Sequence, residues 1–378
     1  MPDTDPKSDA PRVASLDQFR GYTVLGMFFV NFAGHFQAVP ALFKHHNTYC
    51  SYADTIMPQF FFAVGYACRL TLLRRLKTHG SRAAYEHVVW RSLGLLLLGL
   101  VIHHLGGKYE AWDQLRGLTV GEFMNRGLRS RPFQTLVHIA VTSLWVLPVV
   151  ARSWRVRVGF ALFSGGLHLV LSHLFYYEWV HADPRGIDGG PLGFLTWAIP
   201  LLAGTLAHDV GGRPGSIAAR FVLVGCVLML IGYGLSCLGL ALHSQPGANL
   251  QDTLAGAPFV KPPTDARGQL IEPATLWTMS QRAGSVSYLT FATGFALVVY
   301  ALFVLVCDAG RVTLGMFRTL GSNALAAYIL SDLVDSAVMP YAPRDAPLWY
   351  ALVAFGVFLG INYVFLRFLE RKKLFLRL

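Results

Sequence analysis

Apolar runs recur along this chain, each about the length needed to cross a bilayer, roughly 20 residues. No other feature constrains the fold as strongly. Hydrophobic residues make up 54% of the 378, and charged residues only 14%, against roughly 25% charged in soluble domains. The pattern predicts an all-α, polytopic transmembrane helix bundle. Ten spanning helices are expected, near 19–38, 54–76, 86–105, 134–151, 157–176, 192–209, 219–242, 285–307, 316–337 and 348–368. Residues 1–14 are polar and lack an apolar segment. They read as a short disordered cytoplasmic tail rather than a cleaved signal, which leaves 15–378 as one integral membrane domain.

The net charge is +11. In a membrane chain this excess reads as cytoplasmic Lys and Arg that set orientation, not as a nucleic-acid surface. The connection 69–91 carries Arg69, Arg74, Arg75, Lys77, Arg82 and Arg91 against one acid, Glu86. It is expected inside. Alternation then puts both termini inside as well, and the connection holding His45 and His46 outside. The basic loop 106–133 falls outside and breaks the charge rule. Loop 243–285, rich in proline, also falls outside, and long loops of this kind are often functional. The five cysteines, Cys50, Cys68, Cys226, Cys237 and Cys307, form no close pair. They give neither a disulfide framework nor a zinc site.

Two apolar runs flank Phe43-Lys44-His45-His46, and Asp54-x-x-x-Pro58 follows on a new helix start. Imidazole exchanges protons near neutral pH, and ionisable groups at membrane depth point to function by default. Adjacent residues diverge, so one of His45 and His46 is expected to face the bundle and the other water. Asp54 has two open readings: a helix cap, or a carboxylate that holds an imidazole N–H. Asp17 and Arg20, spaced i, i+3, read either as a local ion pair or as a pair shaping a cavity mouth. Asn31 lies towards the outer half of the same helix and needs polar partners. His35, His45, His46, Cys50 and Asp54 are candidate metal ligands, but none has paired spacing on one helix, and no metal is expected. The run Leu320-Gly321-Ser322-Asn323-Ala324 opens the ninth helix with small residues suited to close packing. Asn323 adds a polar group that a packing face does not need. Ser287, with Arg282, Ser285 and Tyr288, enters the eighth helix from outside.

These segments together resemble the heparan-α-glucosaminide N-acetyltransferase family and its bacterial relatives. The resemblance rests on Ser15-Leu16-Asp17-Gln18-Phe19-Arg20-Gly21, on Asn31, on Phe43-Lys44-His45, on Asp54-x-x-x-Pro58-x-Phe60-x-Phe62-x-x-Gly65, and on Gly321-x-Asn323-Ala324-x-x-x-Tyr328. It implies an acyltransferase of a multi-pass membrane, for a bacterium the inner membrane. Acetyl would pass from cytoplasmic acetyl-CoA to an amino-sugar or other saccharide acceptor outside, on nitrogen or oxygen. The family's active histidine follows Phe-Lys and so corresponds to His45. Asn47-Thr48-Tyr49-Cys50 stands where the family has a Trp and a Gly, which keeps His46 as the second candidate. Asp17, Arg20, Asn31, Arg69, Arg74, Arg75, Ser287 and Asn323 are expected around donor and acceptor. The expected partners are acetyl-CoA, the acceptor and the lipid bilayer, with a homodimer as a further assembly. The histidine acts either as general base or as a transient acetyl carrier. The competing class is a secondary transporter for a small polar solute.

Overall fold

The computed structural model describes residues 13–103, 110–129, 132–183, 185–243, 253–262 and 274–376. The expected tail therefore lies, through residue 12, outside the described residues. All regular structure among the described residues is helical. The helices are α1 (Ala14–Ala33), α2 (Tyr52–Thr78), α3 (Gly80–His103), α4 (Trp112–Arg116), α5 (Val120–Arg129), α6 (Thr135–Val150) and α7 (Trp154–Leu171). They continue with α8 (Tyr177–His181), α9 (Phe194–His208), α10 (Pro214–His243), α11 (Val286–Phe303), α12 (Gly315–Ser322), α13 (Ala324–Val338) and α14 (Leu348–Arg371).

Seven helical stretches among the described residues are long and apolar enough to cross a membrane: α2, α3, α7 continued to His181, Gly190–His208, α10, α11 continued to Ala309, and α14. The expectation of ten spans is thus supported for seven. Of the others, α6 has only 16 residues. The run read as one helix over 316–337 is two, because the chain leaves helical geometry at Asn323, where φ is −134° and ψ 45°. Gly321, Ser322 and Asn323 in succession are weak helix formers, which makes this the place to break. The connection read as a loop over 106–133 contains the two short helices α4 and α5.

Small residues set the closest crossings. A Cβ on Gly65 of α2 would lie 1.8 Å from the Leu201 carbonyl oxygen of α9, and one on Gly204 of α9 would lie 2.0 Å from that of Phe62. The two backbones therefore touch, which lets helices associate without a hydrophobic drive between them. Gly21 of α1 and Gly321 of α12 do the same. Their Cβ atoms would sit 1.9 Å from the Phe317 oxygen and 2.4 Å from the Asp17 oxygen.

One end of the bundle is fastened by charge. Arg69 Nε donates to Asp209 Oδ1 at 2.7 Å, and its Nη1 donates to the Val150 carbonyl. Arg157 donates to Asp209 Oδ2 and, at 2.7 Å, to the Thr205 carbonyl. Partial burial would raise the Asp209 pKa, but Arg69, His208 and Arg157 outweigh it and hold the carboxyl down at about 2. These contacts join α2, α6, α7 and the end of α9.

Candidate active site

The site begins where α2 begins. Ser51 and Asp54 form a reciprocal capping box: the Asp54 N–H donates to Ser51 Oγ at 3.3 Å, and the Ser51 N–H donates to Asp54 Oδ2 at 3.0 Å. Such a cap stabilises by about 1 kcal/mol. The same carboxylate is only 1% exposed. It accepts from His45 Nδ1 at 2.9 Å and from the His46 backbone N–H at 3.3 Å. Both sequence readings of Asp54 therefore hold at once, since one oxygen serves the imidazole and the other serves the helix.

Pro58 explains a further contact. An α-helical carbonyl accepts from the N–H four residues on, and for Asp54 that residue is a proline, which has none. The orphaned Asp54 carbonyl instead accepts from the buried Tyr288 hydroxyl of α11 at 2.6 Å. A buried carbonyl without a partner would cost about 1–3 kcal/mol. The Asp54-x-x-x-Pro58 spacing thus builds a docking point for α11 directly behind the site.

The two histidines part as adjacent residues must. His45 lines an internal cavity, and its side chain stays 43% exposed. Burial lowers its pKa, but the hydrogen bond and charge of Asp54, with Asp188 and Gln281 adding to them, outweigh burial and leave it above the ordinary imidazole value. With Nδ1–H donated to the Asp54 carboxylate, Nε2 carries the free lone pair. His46 donates Nε2–H to the Ala41 carbonyl at 2.8 Å and stacks on Tyr49 with ring centroids 4.4 Å apart. Burial lowers its pKa, and it is not among the cavity-lining residues.

The cavity measures about 770 Å³, within the roughly 300–1,000 Å³ typical of ligand sites. One face of α2 lines its length through Ala53, Met57, Phe60, Val64, Ala67, Thr71 and Arg75. That i, i+3, i+4 stripe covers about 33 Å of helix. The end near His45 is polar, with Asn31, Gln134, Asp188, Gln281 and Tyr328. The other end is basic, with Arg20, Arg74, Arg75, Arg91 and Arg318 around Asp17. Arg75 Nε is buried there with no hydrogen-bond partner among the described residues. Asp17 and Arg20 are not among the ion pairs of the described residues.

Of the residues singled out from sequence, His45, Asp17, Arg20, Asn31, Arg74 and Arg75 line this one cavity. Asp54 stands behind His45. Arg69 does not line it, being spent on Asp209 and Val150. Ser287 is absent from its wall as well; it donates to the Trp277 carbonyl at 2.7 Å near the start of α11. Asn323 grips the C-terminal segment instead. Its Nδ2 donates to the Leu374 carbonyl at 2.9 Å, and its Oδ1 accepts from the Leu376 N–H at 3.0 Å. Phe375 and Leu376 thereby join the cavity wall at the basic end.

Sequence reasoning missed Asp188 and Gln281, which come from two separate loops. Gln281 Nε2 donates to Asp188 Oδ1 at 2.9 Å. Burial raises the Asp188 pKa to about 6, although His45 and Gln281 pull it the other way. The available signal was Asp188-Gly189-Gly190, a turn sequence carrying a lone acid. No group of three or more His, Cys, Asp or Glu among the described residues is placed to hold a metal ion.

Fold and site together define an all-helical integral membrane protein with a long cavity, basic at one end and bearing a carboxylate-backed imidazole at the other. No family model matches the chain. It is 31% identical over 112 residues to heparan-alpha-glucosaminide N-acetyltransferase of Homo sapiens, covering 28% of this chain and 16% of that protein. Against the Mus musculus protein of the same name it is 31% identical over 116 residues, covering 29% and 17%. The chain thus spans under a fifth of the length of the curated relatives it matches, and the similarity supports a distant relationship.

Proposed function

We propose that this protein is a membrane acyltransferase that takes acetyl from acetyl-CoA and delivers it to an amine or hydroxyl acceptor, with a saccharide as the leading class. One observation carries the reading: a single cavity is lined at one end by five arginines and at the other by His45. CoA carries phosphates, which guanidinium groups bind in forked pairs, and Arg75 Nε, which has no partner among the described residues, is a donor suited to them. The apolar middle, with Met57, Phe60 and Val64, suits a pantetheine arm. The distant similarity to two N-acetyltransferases favours the same chemistry.

His45 Nε2 takes a proton from the acceptor N–H or O–H while the acceptor lone pair attacks the thioester carbonyl. The new C–N or C–O bond forms, the C–S bond breaks, and the proton passes to the departing thiolate. Asp54 keeps Nδ1 protonated and so keeps Nε2 basic. The alternative route, in which Nε2 itself attacks and carries acetyl before the acceptor does, uses the same atoms.

The test is binding of acetyl-CoA to purified protein in nanodiscs by calorimetry, followed by release of CoA thiol. Binding that weakens tenfold or more in Arg75→Ala supports the donor assignment. Absence of binding by the wild type sinks it. The helix break at Asn323 favours a second reading, a secondary transporter, because such proteins use discontinuous helices. Solute uptake without thiol release would select that one.

A further inference from the structure

Two carboxylates approach His45, and they are not equivalent. Asp54 has no capacity left for a substrate: its oxygens accept from the His45 ring, the His46 N–H and the Ser51 N–H, and the Ser51 hydroxyl lies 2.9 Å from Oδ2. It does not line the cavity. Asp188 does. Its Oδ1 accepts from Gln281, while its Oδ2 takes no hydrogen bond from any described residue.

The backbone under Asp188 is built to hold it there. Its φ is 52°, in the left-handed region that Asp and Asn tolerate better than most residues. The Asp188 carbonyl accepts from Trp197 Nε1 at 2.8 Å, and the Gly189 carbonyl accepts from the buried Tyr176 hydroxyl at 2.6 Å. The Gly189 N–H donates to the Arg282 carbonyl at 2.9 Å, which ties this turn to the loop bearing Gln281. Asp188 itself is 6% exposed. A carboxylate this buried, braced from two loops and open on one oxygen, has not been placed merely to satisfy the fold.

We infer that Asp188, clamped by Gln281, grips the acceptor: Asp54 orients the imidazole from behind, and Asp188 accepts from a second N–H of the amine, or from a hydroxyl neighbouring the attacking one, so that the reacting hydrogen is left to face His45 Nε2. This rests on the acetyl-transfer reading above. An acceptor amine or hydroxyl then sits between a lone pair and a carboxylate, held in attack geometry. With a pKa of about 6, Asp188 is largely ionised at pH 7 and accepts that hydrogen bond as a carboxylate.

The experiment uses the full chain in nanodiscs with acetyl-CoA and three acceptor probes: glucosamine, methylamine and glycerol. Asp188→Asn keeps an Oδ1 for Gln281 and tolerates the same backbone. It should raise the KM for the acceptor tenfold or more, while the Kd for acetyl-CoA moves less than twofold. Asp188→Glu should recover part of the loss, and Gln281→Ala should fall between. An unchanged acceptor KM in Asp188→Asn overturns the assignment, as does an equal loss of donor affinity, which would mark a structural role. If Asp188→Asn does not fold, an unchanged acceptor KM in Gln281→Ala overturns it. A wild type that releases CoA yet acetylates none of the probes overturns the Asp188 assignment alone. A wild type that fails to bind acetyl-CoA overturns the donor reading and this one with it.

Discussion

At the residue scale, the decisive pair is His45 and Asp54. The His45→Ala variant should lose at least 100-fold in kcat, the lower end of the range for a lost general base, about 10²–10⁴. His46→Ala should lose far less, since its ring is occupied with Ala41 and Tyr49. Equal losses in the two, measured by thiol release, would contradict the assignment. The rate profile carries the same information. The base must be neutral, and its pKa stands above the ordinary imidazole value, so activity should rise with pH only above roughly 6.5. Asp54→Asn removes the dominant raising influence. Its acid limb should move to lower pH even as its maximal rate falls, and a limb that stays put would exclude Asp54 as the partner. Stability should follow the opposite sign. His45 and Asp188 both have folded pKa values raised above their unfolded ones. The Asp188 contribution is complete below roughly pH 4 and is lost as pH rises through about 6. That of His45 is complete below roughly pH 6.5 and is lost above it. The melting temperature of the wild type relative to Asp188→Asn, in detergent, should therefore fall between about pH 4 and pH 7. A difference that does not change with pH would refute the linkage.

At the element scale, Pro58 and Tyr288 should act as a unit. Tyr288→Phe leaves the Asp54 carbonyl without a partner and should cost about 1–3 kcal/mol, with a matching drop in turnover. Pro58→Ala supplies an N–H that can serve that carbonyl from within the helix. The double variant should therefore be more stable than the sum of the singles predicts, a coupling readable in a double-mutant cycle. Strict additivity would show that the two do not share this carbonyl. Arg69 and Arg75 lie on the same helix, yet their replacement should differ in kind. Arg69→Ala uncouples α2 from Asp209 and should lower stability by about 3 kcal/mol or somewhat less, because Asp209 is partly exposed. It should leave donor affinity in the surviving folded protein close to normal. Arg75→Ala should weaken acetyl-CoA binding with little change in melting temperature. A reversal of that pattern, measured by calorimetry and thermal unfolding together, would reverse the assignments.

At the scale of the whole molecule, the cavity has a direction. Its basic end is shared by the start of α1, the end of α2 and α12, while its His45 end is shared by the close of α1 and the start of α2. A multiply charged nucleotide does not cross hydrocarbon, so the proposed donor must enter from the arginine side and the acceptor from the other. In sealed vesicles, acetyl-CoA on the arginine face should acetylate an acceptor present only on the opposite face. Activity that requires both substrates on one face would refute the transmembrane route and leave the chemistry standing.

Features that depend on neighbours along the chain were legible in the sequence. Apolar runs of bilayer length demand helices, because a backbone in hydrocarbon must pair with itself. Asp54 and Pro58 define a capped helix start beside two imidazoles, because capping is a contact over three residues. Features that depend on distant partners were not. Arg69 reads like Arg74 and Arg75 until Asp209, 140 residues away, claims it. Gly321, Ser322 and Asn323 mark a weak point in a helical run, but the contact that occupies the Asn323 amide there comes from the C-terminal segment, some 50 residues on. Asp188 reads as a turn residue until Gln281 and Trp197 fix it beside His45. Local spacing set which groups could do chemistry. Which of them share a cavity was decided only by how the helices pack, since close backbone approach at Gly65, Gly204, Gly21 and Gly321 determines the faces that meet.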